Sequence, residues 1–276
     1  MKKILITGHK GFIGKNLYNF LSKKNYKVNG FDLKKNKKFP VIKNYDWVIH
    51  LGANSSTTET NVEKIFKQNY EFSVKILKEC IKYNVNLQYA SSASVYDKKK
   101  GFKETSKCYP KSPYSWSKYI FDKYAEKSKY KIIVQGFRYF NVFGQNESDK
   151  KDQASPVYKF IKQAKEKKKI KLFYNSNRYL RDFVCIEDVC KVHEQMLTNE
   201  VNGLFNVGRG ATLSFQKIAE AVSKKFSCKI EYVKMPEKIS KHYQKYTKAN
   251  MEKLNKYVKI KWKDPIKYIS QLNKVF

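Results

Sequence analysis

KKILITGHKGFIG, residues 2–14, is the stretch on which the fold turns. It opens with a short apolar run of the kind that fills a buried strand, and then brings three glycines, Gly8, Gly11 and Gly14, at close spacing. Apolar residues recur after it at Phe12, Ile13, Leu17, Phe20 and Leu21, the spacing of one helix face. Strand, tight turn and helix in that order leave free backbone N–H groups at the helix start, and the glycines let the main chain approach a pyrophosphate there. A glycine triplet alone can equally be a structural turn. Asp32, at the end of the next apolar stretch YKVNGFDL (26–33), stands where a ribose hydroxyl acceptor belongs, and a mere turn does not explain it. Lys34, Lys35, Lys37 and Lys38 follow and suit a 2′-phosphate, so NAD and NADP both stay open.

Working outward, YDWVIHLGA (45–53), NLQYASSASVY (86–96) and YKIIVQGFRYFNVFG (130–144) read as further strands, with helical stretches around 61–84 and 113–128 between them. Strands alternating with helices predict an α/β fold of Rossmann type, a doubly wound parallel sheet over residues 1–144. Residues 33–44 are too few for a crossover with its own helix, so the arrangement is shortened after the second strand and the wall beneath an adenine is reduced. From 145 to 276 the character changes to a polar loop at 145–153, helices at 155–168 and 214–226, and a lysine-rich tail. This part reads as a smaller substrate lobe, with about 181–196 returning to the first domain.

Composition removes several classes of function. A chain of 276 residues carries a formal charge of +34, which invites a nucleic-acid reading. Yet only Arg138, Arg178, Arg181 and Arg209 are arginines among 58 basic residues, and lysine spread evenly along a chain describes a solvated surface rather than a base-reading groove. The cysteines Cys80, Cys108, Cys185, Cys190 and Cys228 show no zinc or disulfide spacing, which fits a reducing cytoplasm. His9, His50, His193 and His242 are dispersed and are expected in loops or on the surface, leaving little support for a metal site. No apolar run approaches the length of a membrane span, and MKKILITG reads as a first strand rather than a signal-peptide start.

The chemistry centres on Tyr114-Ser-Trp-Ser-Lys118, which puts a phenol and an ammonium on one helix face, with Ser112-Pro113 as N-cap and first-turn proline. A tyrosine titrates near 10 on its own, and a neighbouring ammonium is expected to favour the phenolate needed for proton transfer. In a chain this rich in Tyr and Lys such a pair also arises by chance, so the flanking motifs carry the weight. ASSASVY (90–96) ends a strand with Ser92 placed to hold the substrate oxygen, and Ser94 beside it.

TGHKGFIG, HLGA, ASSASVY, YSWSK and RYFNVFG, in this order, resemble the extended short-chain dehydrogenase/reductase family of sugar-nucleotide enzymes, nearly end to end. Within it, LGANSSTTE (51–59), YASSASVYD (89–97), the run 136–160 and YQKYTKANMEKL (243–254) are similar to the ADP-L-glycero-D-manno-heptose 6-epimerases. The resemblance implies an epimerase with tightly bound NADP or NAD, a nucleotide-diphosphate sugar substrate and a homo-oligomeric state. It implies two bases on opposite faces of the sugar, Tyr114 and Lys150, with Lys151 as the rival to Lys150, and Lys118 and Ser92 beside Tyr114. For the cofactor it implies Gly8, Gly11, Phe12, Ile13, Gly14, Asp32, Leu33, Leu51, Gly52, Ala53, Asn69, Lys118, Val142 and Lys150. For the sugar nucleotide it implies Asn141, Ser155, Phe173, Asn175, Arg181 and Tyr243. Arg181 has its own physical argument, because a lysine-rich chain that spends an arginine has use for the planar fork that grips a diphosphate. The competing reading of Arg181 is a surface salt bridge with Asp182. A C4 epimerase, dehydrogenase or reductase of the same family and a non-catalytic nucleotide-sugar or NADP-binding protein are the alternatives. A 4,6-dehydratase is disfavoured, since Ala93-Ser94 stands where such enzymes carry Asp-Glu.

Overall fold

The apolar run at the N-terminus is β1 (Lys2–Thr7), and it lies between β2 (Tyr26–Phe31) and β3 (Trp47–His50) in a parallel sheet. The computed structural model describes residues 1–33, 38–96, 102–127, 130–237 and 244–273, the side chains of Asp149, Lys151 and Asp152 apart. Lys34, Lys35, Lys37, Tyr243 and His242 lie outside the described residues. With β4 (Asn86–Ser92), β5 (Val134–Tyr139) and β9 (Gly203–Val207) the sheet has six strands in the order β2-β1-β3-β4-β5-β9, every neighbour parallel. No strand or helix stands between Phe31 and Trp47 among the described residues, so β2 is the edge and the shortened second crossover is real.

Helices cover both faces, as a parallel sheet requires. On one face, α1 (Phe12–Ser22) and α6 (Ile186–Met196) bury Leu17, Leu21, Val189 and Val192 against Ile4, Ile6 and Phe205. On the other, α3 (Phe72–Lys82) and α4 (Pro113–Lys127) bury Ile76, Leu77 and Phe121 against Val48, Leu87 and Val134. The helix expected over 61–84 is broken: α2 (Val62–Ile65) passes through a π-helical turn, Phe66–Glu71, before α3. The strand expected over 130–144 also divides. The Phe140 amide donates to the Val207 carbonyl, and β6 (Asn141–Phe143) then pairs with β8 (Leu180–Cys185), whose other neighbour is β10 (Thr212–Ser214). The lobe has its own core, in which α5 (Pro156–Lys167), α7 (Phe215–Phe226) and α8 (Pro265–Gln271) pack Val157, Ile218 and Ile269 around Ile170 of β7 (Lys169–Phe173), the partner of β11 (Lys229–Val233).

Two histidines contradict the expectation of surface positions. His50 is 3% and His193 0% exposed, each hydrogen-bonded through both ring nitrogens. Burial lowers both to about 3. An unfolded histidine takes up a proton below about 6.5, whereas these rings resist until about 3, so the native state loses stability as pH falls from 6.5 towards 3. At pH 4.5 the loss should be on the order of 2 kcal/mol per histidine. Urea unfolding at pH 7 and 4.5 checks this. His193→Gln should show an acid loss smaller than wild type by about that amount, and an equal loss would refute it.

The turn after β1 is the other tight point. Gly8 has φ +72°, and a Cβ there would lie 2.6 Å from the Gly52 main chain; one on Gly14 would lie 2.1 Å from the Gly8 carbonyl oxygen. Gly14→Ala should therefore cost about 1–3 kcal/mol in a denaturant melt, because backbone, unlike a flexible side chain, cannot move aside cheaply.

Candidate functional site

The site lies where the sheet's strands end at their carboxyl side. There the chain turns from β1 through Gly8 into α1, whose N-cap Gly11 supplies no side-chain hydrogen bond and whose first turn holds no acidic residue. A helix start without a capping or acidic side chain, with its dipole of the right sign, suits a phosphate. Gly8 donates to Phe31 O at 2.7 Å and Gly11 to Gly8 O at 3.0 Å, which fixes the turn beside the end of β2 and Asp32. Phe12 is buried at the start of α1, Ile13 and Leu51 pack against the same core, and Gly52 underlies Gly8. Val142 is a buried core residue of β6, whereas Leu33 is 49% exposed.

Asn69 is 1% exposed within the π-helical turn, and its amide is used inside the protein. Its Oδ1 accepts from Asn54 N at 2.7 Å, and its Nδ2 donates to Asn54 O at 3.0 Å and Ser117 Oγ at 3.1 Å. The extra residue of the π turn brings this amide up against α4, and so ties the Leu51–Asn54 loop to the helix of Tyr114.

That helix begins with a reciprocal cap: Ser112 Oγ accepts from Ser115 N at 3.2 Å, and Ser115 Oγ accepts from Ser112 N at 2.9 Å. The same turn brings Tyr114 beside Ser92 at the end of β4, near enough for the Ser92 hydroxyl to favour the phenolate. Lys118 is 6% exposed and donates from Nζ to Ala90 O at 2.8 Å. Burial lowers Lys118 to about 8, with Asp122 one turn on opposing the shift. The phenol does not behave as expected from the spacing: burial pushes Tyr114 above its ordinary value, and the Ser92 hydroxyl offsets only part of this. The reason is geometric, since the ammonium meant to favour the phenolate is held on the Ala90 carbonyl. Ser94 Oγ, the neighbour, is buried with no hydrogen-bond partner among the described residues. Beneath the pair, Asp122 accepts from Ser91 Oγ and Arg138 Nε, both at 2.9 Å, in a fully buried ion pair that sequence reading missed.

Lys150 sits in the 3-10 helix Ser148–Gln153, its Nζ 4.7 Å above the Phe12 ring and 3.7 Å from Glu147. Its side chain is 24% exposed, and burial lowers its affinity for protons, against the pull of Glu147. Glu147 is the organiser of this loop and was not singled out in the sequence. Its buried carboxylate accepts from Gly144 N at 3.0 Å, Ser155 N at 2.7 Å and Ser155 Oγ at 2.8 Å. Ser155 Oγ also caps α5 by accepting from Tyr158 N, so both capacities of that hydroxyl are used within the protein.

Among the remaining residues, Asn141 donates to Asp182 O at 3.2 Å and Thr247 Oγ1 at 3.4 Å. Arg181 is 7% exposed rather than on the surface, lies over Phe215 and donates to Leu180 O and Gln244 O. The Asp182 carboxylate serves the backbone amides of Arg209, Gly210 and Ala249. Phe173 is half-buried at the end of β7, and Asn175, with φ +61°, is exposed where the next turn starts. No helix among the described residues is long and apolar enough to cross a membrane.

Comparison with known proteins agrees with this geometry. Residues 4–208 match the model of the NAD dependent epimerase/dehydratase family. The chain is 40% identical over 215 residues, 75% of its length and 68% of the relative's, to ADP-L-glycero-D-manno-heptose-6-epimerase of Brachyspira hyodysenteriae. Its structure superimposes on that of the Helicobacter pylori ADP-L-glycero-D-manno-heptose-6-epimerase with a TM-score of 0.85 at 27% identity, covering 98% of this chain and 97% of the other. Thermus thermophilus UDP-glucose 4-epimerase, solved with NAD, shares the fold at a TM-score of 0.76, 24% identity and 92% coverage of each chain. With the glycine turn, the Tyr-Lys pair and these likenesses in agreement, the chain belongs to the NAD-dependent epimerase/dehydratase family.

Proposed function

We propose that the chain is a sugar-nucleotide epimerase that inverts C6 of an ADP-heptose, with Tyr114 and Lys150 as the two proton-transferring groups. The observation that carries the reading is the meeting of Ser92, Tyr114 and Lys118 at the end of β4, on the same sheet edge as the uncapped start of α1. The likeness to two ADP-heptose epimerases supports the choice of sugar.

The protein fits a nicotinamide dinucleotide. The turn at Gly8 and Gly14 has no room for side chains, the α1 N-cap lays no side chain over the helix start, and Asp32 follows the end of β2, as a pyrophosphate cradle and a ribose acceptor would need. Held there, a nicotinamide would supply reversible hydride transfer at the carbinol carbon, which inverts the centre with no net oxidation. The side chains do the rest. Ser92 holds the reacting oxygen, Tyr114 accepts its proton as the ketone forms on one face, Lys150 donates the proton when the ketone is reduced on the other, and Lys118 binds the nicotinamide ribose. Because burial raises Tyr114, the phenol would need a positive charge beside it to ionise near neutral pH, which an oxidised nicotinamide would supply. Lys150, poorly solvated above Phe12, serves the opposite face of the sugar. Asn141 and Arg181 hold the nucleotide sugar, Arg181 at its diphosphate. A cytoplasmic location follows, where such substrates and reduced thiols are found.

Incubation with ADP-heptose, followed by NMR at C6, tests this. Tyr114→Phe and Lys150→Ala should each slow inversion by about 100-fold or more, the usual contribution of a general acid or base. Unchanged inversion in both would defeat the two-base assignment. A cofactor consumed stoichiometrically would defeat the epimerase reading.

Lys118 also sets a pH limit. With its free-enzyme value near 8, it loses charge above that pH, and kcat/KM should decline there. In Lys118→Met this limb should disappear along with most of the rate, and a limb that persisted would assign it to another group.

A further inference from the structure

Between the glycine turn and α4 runs a row of polar side chains that the proposed chemistry does not use. Thr7, His50, Ser73, Asn69 and Ser117 are each at most 3% exposed, in a region otherwise filled with apolar residues. Burying so many polar groups is costly unless all are paired. They are paired with one another. Thr7 Oγ1 lies 2.6 Å from His50 Nδ1, His50 Nε2 lies 2.9 Å from Ser73 Oγ, and the Ser73 hydroxyl donates to the Asn69 carbonyl. Asn69 Nδ2 donates to Ser117 Oγ at 3.1 Å, and Ser117 Oγ donates to the Tyr114 carbonyl at 2.7 Å.

Counting protons fixes the state of the histidine. Ser73 has one hydroxyl hydrogen and gives it to Asn69, so towards His50 it can only accept, and Nε2 must carry the hydrogen. Burial keeps the ring neutral, so Nδ1 is bare and accepts from Thr7. The three bonds from Thr7 to Asn69 therefore run in one direction. His193 is the opposite case: its Nδ1 faces Gln88 Oε1 at 2.7 Å, an acceptor only, so its hydrogen is on Nδ1.

The row also lies where main-chain bonding gives out. The ladder between β1 and β3 ends at Leu51 N to Thr7 O, and Gly8 turns away immediately after. We propose that His50 is a positioning residue: as its Nε2–H tautomer it forms a strut that holds the strand carrying the glycine turn at a set separation from the helix carrying Tyr114. The proposal rests on the reading of Tyr114 as the proton-transferring group. His50 acts through Thr7 and Ser73, and a shift of about 1 Å between cradle and phenol costs on the order of 100-fold in rate.

The test uses the purified full chain with its bound cofactor. Thr7→Val keeps shape and removes the donor, Ser73→Ala removes the acceptor, and Thr7→Ser restores the hydroxyl. Both Thr7→Val and Ser73→Ala should lower kcat by about 10- to 100-fold with KM changed less than about threefold, while Thr7→Ser returns kcat to within about threefold of wild type. A purely structural role would reduce the yield of folded protein and leave kcat per folded molecule unchanged. Independently of activity, long-range 15N–1H spectra should show His50 as the Nε2–H form and His193 as the Nδ1–H form, with His50 altered in Thr7→Val. Wild-type kcat in both disabling variants, or a wild-type His50 hydrogen on Nδ1, overturns the strut. Tyr114→Phe, measured alongside, separates the two claims: full inversion in that variant defeats the underlying reading, and its loss with Thr7→Val at full rate defeats the strut alone.

Discussion

Backbone against backbone at Gly8 is the contact from which the rest of the site is built. The chain must leave β1, turn at Gly8 with a positive φ and pass within van der Waals reach of Gly52 just beyond the end of β3, while Gly14 of the following helix closes over the Gly8 carbonyl. Only hydrogen in place of a side chain permits all three approaches. The result is a helix whose start, without a capping side chain, lies at the strand ends, and the position of every other group can be stated relative to it. Ser92 and Tyr114 stand two strands away, and Lys150 lies over Phe12, the first residue of that same helix.

Solvation decides how the charged groups behave once they are there. Lys118 and Tyr114 both lie deep enough for burial to dominate, so the ammonium is weakened to about 8 and the phenol pushed up, each towards its neutral form. Attraction between neighbours does not reverse this, because the lysine is tied to a carbonyl. The buried Asp122 and Arg138 pair beneath them works against the lysine's shift, through the negative end nearer to it. A site arranged in this way holds its proton-transfer group neutral, and a positive ligand charge is the natural means of activating it.

Much of this was legible along the chain because it depends on local pattern. The glycine spacing, the periodicity of α1, the serine cap and proline of α4, and the five residues from Tyr114 to Lys118 are all short-range signals. The deficit in residues 33–44 was legible by length alone, and the sheet ends at β2 accordingly. What was not legible depends on partners distant in sequence. β9, the run GLFNV, is too short and ordinary to announce itself as the sixth strand, and its membership comes from pairing with β5 across more than sixty residues of lobe. Glu147 looked like one acid among lysines, and only the fold shows that it collects two amides and a hydroxyl.

The histidines show where a stronger rule would have served. In a chain of helices and exposed loops, a dispersed histidine is reasonably placed at the surface. His50, however, ends the run WVIH in a strand covered on both faces, where every position is interior regardless of residue type, and all four residues are buried. His193 falls on the core-facing side of α6 with Val189, Val192 and Met196. Burial was thus implied by the element, and a buried imidazole in turn implies partners on both nitrogens and a single tautomer. That inference runs from strand class to burial, from burial to hydrogen bonding, and from hydrogen bonding to protonation. It needs no conserved motif, and here it leads to the row of polar groups that joins the first strand of the sheet to the helix of Tyr114.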